Sequence, residues 1–220
     1  PALLERLLGA LFHEIADPTV SPLPAETIAY AATAGPSALS VRAATTEAAH
    51  AEFSVQVLRA IVVLVEALGD AMPQQHRRVL MRYAWTALRS GRELHKAWAY
   101  VALGRFTSFY DHSSRLPMQV YVLLLKDYKV DEPARVLLRR AIDLLLPGLS
   151  VRSQSPNGRT PQWIKWTKRL VVQEHSSSDH LFHIWRVLAA HPLLFYPARS
   201  QLVLTLVNSL SRIGLSPSRS

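Results

Sequence analysis

Five side chains in the C-terminal third have the types that a metal ion takes: Glu174, His175, Asp179, His180 and His183. His180 and His183 are three apart, a spacing that sets two imidazoles on one side of a helix. A zinc-like centre also needs further fixed ligands, and outer hydrogen bonds that orient the rings. The surrounding sequence announces neither. Glu174 and His175 end one apolar stripe and Asp179 begins the next, and helix ends favour such polar residues. The cluster therefore reads as helix termini.

Asp111-His112-Ser113 holds the residue types of a hydrolytic triad, yet neighbours in sequence do not make triad geometry. A turn is the better reading. Trp163 and Trp166 beside Lys165, Lys168 and Arg169 suggest a third chemistry, base stacking within a positive field. Tryptophans three apart on a helix that must bury one face read instead as core. Trp163, Trp166, Leu170, Trp185 and Tyr196 are expected to form the structural core of the last block. No phosphate-cradling glycine loop, Gly-x-Ser-x-Gly elbow or His-Glu-x-x-His helix is present. No catalytic, cofactor-binding or metal-binding residue is assigned, and no cofactor is expected.

What remains is a scaffold of helices. Apolar residues recur at three and four far more often than at two, so strands are not expected. Cysteine is absent, which excludes disulfides and thiolate metal sites and fits a reducing compartment. Apolar runs such as Ala60 to Val65 are far too short to span a bilayer. Pro1 is no native initiator, and the chain stops at Ser-Pro-Ser-Arg-Ser without a settled last element, so it reads as a segment of something longer. The net charge of +9, mostly arginine, describes either a solvated helix surface or a field for acidic partners.

Helix pairs begin at an interval of roughly 40 to 47 residues, the HEAT/armadillo range. Pro73 opens one pair, the turn at Asp111–Leu116 the next, and Thr160–Pro161 a third. A single pair cannot bury its apolar face, so stacked neighbours must supply the core. The expected fold is all-α, an α-solenoid of HEAT-type antiparallel helix pairs over residues 1–220. Residues 1–72 form an irregular first pair with an Ala/Pro-rich connection, and 73–110, 114–147 and 160–215 the later repeats. Helices are expected at 2–16, 25–33 and 50–68, with the stretch up to about Arg42 otherwise a connection. Further helices start at Pro73 and Met118, and one runs from Asp131 until Pro147-Gly148 ends it. In the pair opened by Pro73, Val79 and Phe109 face inward with Leu80, Tyr83 and Leu94. Nearly the whole circumference of the 50–68 helix is expected to be covered.

Several blocks in one order carry a resemblance. Pro161-Gln-Trp-Ile-Lys-Trp-Thr-Lys-Arg, Glu174-His-Ser, Leu181-Phe-His-Ile, His191-Pro-Leu-Leu-Phe-Tyr-Pro-Ala-Arg199 and Leu206-Val-Asn-Ser-Leu-Ser-Arg-Ile-Gly-Leu215 resemble the helical region of the TRRAP family. These are transcription-associated pseudokinases of the phosphatidylinositol-3-kinase-related group. Gln119-Val-Tyr-Val-Leu-Leu-Leu and Ala134-Arg-Val-Leu-Leu-Arg-Arg-Ala-Ile-Asp-Leu-Leu-Leu-Pro147 are similar to the preceding pair. The likeness runs from about Pro73 to Pro217.

The resemblance implies a very large HEAT-type solenoid, with this segment ahead of the FAT region and of a kinase-like domain without catalytic residues. It implies a nuclear scaffold in SAGA-type histone acetyltransferase complexes that receives transcriptional activators. The partners are then other regions of the same large chain, subunits of those complexes and acidic activators, with no membrane. Outer residues Arg78, Arg82, Arg135, Arg139, Lys165, Lys168 and Arg169 are the candidate partner-binding surface. The rival reading is a nucleic-acid-binding helical repeat with a basic surface.

Overall fold

The computed structural model describes residues 36–113, 115–152, 160–173 and 178–210. Two compact units divide at Ser54/Val55. Within the first, the helix α1 (Pro36–Leu68) begins. The second unit, Val55–Ser220, holds the remainder of α1 and the helices that follow it.

After α1 come α2 (Gln74–Ala87), α3 (Glu93–Phe109), α4 (Arg115–Lys126), α5 (Ala134–Arg152), α6 (Gln162–Gln173) and α7 (Ser178–Ala190). A short turn α8 (Pro192–Phe195), a 3-10 turn at Tyr196–Ala198 and α9 (Arg199–Leu210) follow. Among the described residues there is no strand. The fold is an all-α solenoid: α2 pairs with α3 and α4 with α5, while α3 lies along α5 and α4 against α6. Alternate helices thus form layers, and each pair buries its apolar stripe on the next.

The α3–α5 contact is the closest. Gly104 lies where a Cβ would stand 3.0 Å from the Ala141 carbonyl oxygen and 3.3 Å from the Leu144 Cβ. Ala97, seven residues back on the Gly104 face of α3, and Ala141 are buried. Small residues bring the two helices near enough to seal Tyr100, Leu103, Phe106, Leu145 and Leu146 from water.

The helix junctions are fixed by side chains that satisfy loop carbonyls. Gly69 ends α1 at φ +47, a left-handed conformation that costs glycine little. Its carbonyl accepts the Tyr110 hydroxyl at 2.8 Å. Arg77 donates to the Met72 and Asp70 carbonyls at 2.7 Å each, and its guanidinium lies 4.1 Å from the Tyr110 ring centroid. The end of α3 is thereby tied to the α1–α2 turn.

Some sequence expectations need correction. The helix expected at 50–68 begins at Pro36. The Ala- and Thr-rich stretch after Pro36 contains no glycine or proline to stop a helix, and Pro36 suits a first turn. The segments 2–16 and 25–33 lie outside the described residues. α4 starts at Arg115, ahead of Met118, with Pro117 in its first turn where an N–H is dispensable. α5 does not stop at Pro147 but continues to Arg152. Leu146 and Leu149 are fully buried on either side of the proline, and their burial offsets the missing hydrogen bond. Val79 and Phe109 are half-exposed, because Leu80 and Phe106 already fill the inward positions of their turns. On α1, Leu58, Ile61 and Val65 are sealed, but Val63 is 60% exposed, since it points away from that stripe.

Candidate docking surface

α2, α4 and α6 carry no Asp or Glu along their whole lengths. Arg78 and Arg82 of α2, Arg115 and Lys126 of α4, and Lys165, Lys168 and Arg169 of α6 are all exposed. Acids appear on the other layer: Glu93 in α3, Asp143 in α5 and Asp179 in α7. The Arg169 guanidinium lies 4.9 Å from the Trp166 ring centroid, so that cation also roofs an aromatic.

Arg135 and Arg139 sit elsewhere, on α5. Arg139 is exposed, with Glu132 3.9 Å away. Arg135 is half-buried and donates twice to the Val130 carbonyl, at 3.2 and 2.8 Å, pinning the turn into α5. The seven basic residues singled out by sequence are therefore split between two layers.

Of the expected core set, Trp163 and Leu170 are buried at 3% exposure each. Trp163 meets Tyr121 and Phe195 edge-on, with ring centroids 6.3 and 5.0 Å apart. Trp166 and Trp185 are half-buried. Tyr196 is not core: it is 61% exposed, with Arg199 4.0 Å from its ring centroid. Successive positions in a helical turn point about 100° apart, and Phe195 occupies the slot against Trp163.

His180 and His183 come together, but on carbonyls. His180 Nε2 lies 2.7 Å from the Leu125 oxygen and His183 Nε2 3.1 Å from that of Leu124. A carbonyl only accepts, so both imidazoles donate, and α7 satisfies two end carbonyls of α4. Tyr128 stacks on His180 at 4.7 Å. Burial, chiefly, lowers the His183 pKa, with His180 and Arg186 adding to it. Among the described residues no His, Asp and Glu group is placed to hold a metal. Glu174 and His175 lie outside those residues. One residue beyond α4, Asp127 accepts the Tyr100 hydroxyl and pairs with Lys96 at 2.7 Å, which joins α3 to the same corner. Burial first, then the Asp127 carboxylate, raises the Tyr100 phenol pKa.

Beside this corner lies a groove of about 750 Å³ between α5 and α7. Arg135, Leu138, Arg139, Ile142 and Asp143 form one wall, at the spacing of a single helix face. Phe182, His183, Arg186, Val187 and Ala190 form the other. Both helices start near the end of α4, and Asp143 meets His191, just past α7, at 3.1 Å. The walls therefore run parallel, and that contact closes one end. Glu93, Lys129 and Asp131 border the other end. Sequence reasoning missed Phe182, Arg186 and His191 as groove residues. The signal was the step of four from Phe182 through Arg186 to Ala190, matching Arg135, Arg139 and Asp143.

Residues 31–220 match the Tra1 HEAT repeat ring region. The chain belongs to that family. Among Tra1-ring relatives, “Probable transcription-associated protein 1” of Dictyostelium discoideum is 31% identical over 73% of this chain and 3% of its own length. “SAGA complex/NuA4 acetyltransferase complex subunit TRA1” of Saccharomyces cerevisiae is 26% identical over 74% of this chain and 4% of its own. “Transformation/transcription domain-associated protein” of Homo sapiens is 28% identical over 64% and 4%. The Tra1-ring chain thus spans only a few per cent of the relatives it matches. No solved structure matches it.

Proposed function

We propose that this Tra1-ring segment is a non-catalytic scaffold element of a nuclear transcription coactivator in a SAGA- or NuA4-type histone acetyltransferase complex. The observation that carries the reading is the family match over residues 31–220, with relatives named as subunits of such complexes. Its inner helices continue the core of neighbouring repeats, and its outer residues receive complex subunits and acidic activators. The exposed cations Arg78, Arg82, Lys165, Lys168 and Arg169, on helices free of acids, complement carboxylate-rich segments in steering and contact. Arg135 and Arg139 act from the groove. Affinity purification of the tagged full-length protein tests the reading: acetyltransferase-complex subunits should co-purify, and their absence overturns it.

A second reading has one observation in its favour, the acid-free surface of α4 and α6, which pack together. Such a strip suits a phosphate backbone. It requires an affinity that falls steeply with salt, with a slope set by the phosphates neutralised.

A further inference from the structure

We propose that the groove between α5 and α7 is a docking slot for one amphipathic helix of a partner protein, apolar toward the slot and carboxylate-bearing along its flanks. The proposal does not depend on the partner being an activator; any segment of that chemistry satisfies it.

The slot has the dimensions of a short helix. From Arg135 to Asp143 it extends roughly 12 Å at 1.5 Å rise per residue, about two turns of an occupant. Its volume of about 750 Å³ accommodates several large side chains. The floor is apolar, with Leu138 and Ile142 from one wall and Val187 from the other. Phe182 is 44% exposed although it stands in a concavity, so an apolar anchor placed there removes its ring from water. Both walls are helices and offer side chains but no unpaired strand edge, so the occupant docks by its own side chains as a helix does.

The charges choose the occupant. At the closed end the Asp143 carboxylate is held by His191, 3.1 Å away. At the open end Glu93 accepts the Asp131 N–H at 3.3 Å. Arg139 and Arg186 are exposed along the middle, on opposite walls. Asp131 and Asp179 lie where α5 and α7 begin. The slot is cationic in its middle, where Arg139 and Arg186 face each other, and carries carboxylates at both ends, Asp143 at the closed one and Asp131 and Asp179 at the open one. A helix with carboxylates in its middle and its positive N-terminus toward Asp131 and Asp179 meets both fields. Carboxylates at both ends make the slot a poor track for a phosphate backbone, unlike the strip on α4 and α6.

A synthetic helical peptide tests this directly, with Leu and Phe at i, i+3, i+4 and i+7, Glu on the flanks, a fluorophore and a benzophenone cross-linker. The full chain should bind it saturably and cross-link to it through segments containing Phe182 or Ile142. Phe182→Ala combined with Arg186→Glu should weaken binding by about tenfold or more. Arg139→Glu alone, at an exposed position, should weaken it several-fold, and Val136→Glu, exposed outside the groove, should leave it unchanged. A matching peptide with Lys for Glu should bind about tenfold more weakly. The proposal is overturned by absent binding, equal affinity for the Glu and Lys peptides, cross-links mapping outside the groove, or displacement of the peptide by labelled duplex DNA.

Discussion

His180 of α7 donates a 2.7 Å hydrogen bond to the main-chain carbonyl of Leu125, 55 residues earlier at the end of α4. With His183 on the neighbouring carbonyl, it replaces the capping water that a free helix end would use. Two imidazoles that resemble metal ligands in sequence are thus structural staples between non-adjacent helices.

The staple makes stability depend on pH. Burial holds the His183 pKa below its ordinary value; His180 and Arg186 push the same way, while the Leu124 hydrogen bond and Asp127 oppose. Burial, with Arg92 beside it, also lowers His95. A lowered folded-state pKa means that the unfolded chain takes up protons first. The contribution is therefore complete above the unfolded histidine pKa, near 6.5, and is lost as pH falls below it. Thermal melts should show a lower Tm at pH 5.5 than at pH 7.5, with a smaller difference in His183→Gln. Equal pH dependence in both proteins would remove His183 from the explanation.

Tyr121 and Thr167 join α4 to α6 through a buried hydroxyl pair 2.6 Å apart. The Thr167 hydroxyl gives its one hydrogen to the Trp163 carbonyl at 2.8 Å, so Tyr121 is the donor between them. Tyr121→Phe should cost about 1 kcal/mol and Thr167→Val about 1–3 kcal/mol, because the valine leaves the buried phenol without its acceptor. The double variant should cost less than the sum, read by urea denaturation as a double-mutant cycle. Simple additivity would mean that the two hydroxyls do not interact.

Gly104 sets how close α3 and α5 come. A Cβ there would stand 3.0 Å from the Ala141 oxygen, tighter than an ordinary contact, so this backbone neighbour would have to give by a few tenths of an ångström. Gly104→Ala should destabilise by about 1–3 kcal/mol despite alanine's better helix propensity. Gly104→Val should do so more strongly. An Ala variant more stable than the parent in denaturant titration would show that the seam has room to spare.

Much of this architecture is legible in the sequence. The stripes of Leu58, Ile61 and Val65, and of Leu138, Ala141, Ile142 and Leu145, repeat at helical spacing because one face of each helix must be buried. Proline and glycine marked breaks less reliably, since tertiary burial overrode them at Pro147. Exposure was the weaker inference. Periodicity tells which residues share a face but not whether a neighbour covers it, so Val79 and Tyr196 were placed inside. The groove was illegible for the same reason. Phe182 follows a buried leucine, and only the separation of α5 from α7 leaves its ring in a cleft. The histidines were assigned to helix ends, but nothing local identifies the carbonyls of another helix as their partners.

The central claim is that the basic outer surface receives acidic partners while the helical core holds the assembly. Reversing Lys165, Lys168 and Arg169 to Glu in the full-length protein and measuring capture by an acidic activation domain tests it most directly. The account predicts that capture falls several-fold and weakens with salt, while acetyltransferase-complex subunits still co-purify. Capture that is unchanged and insensitive to salt would contradict it.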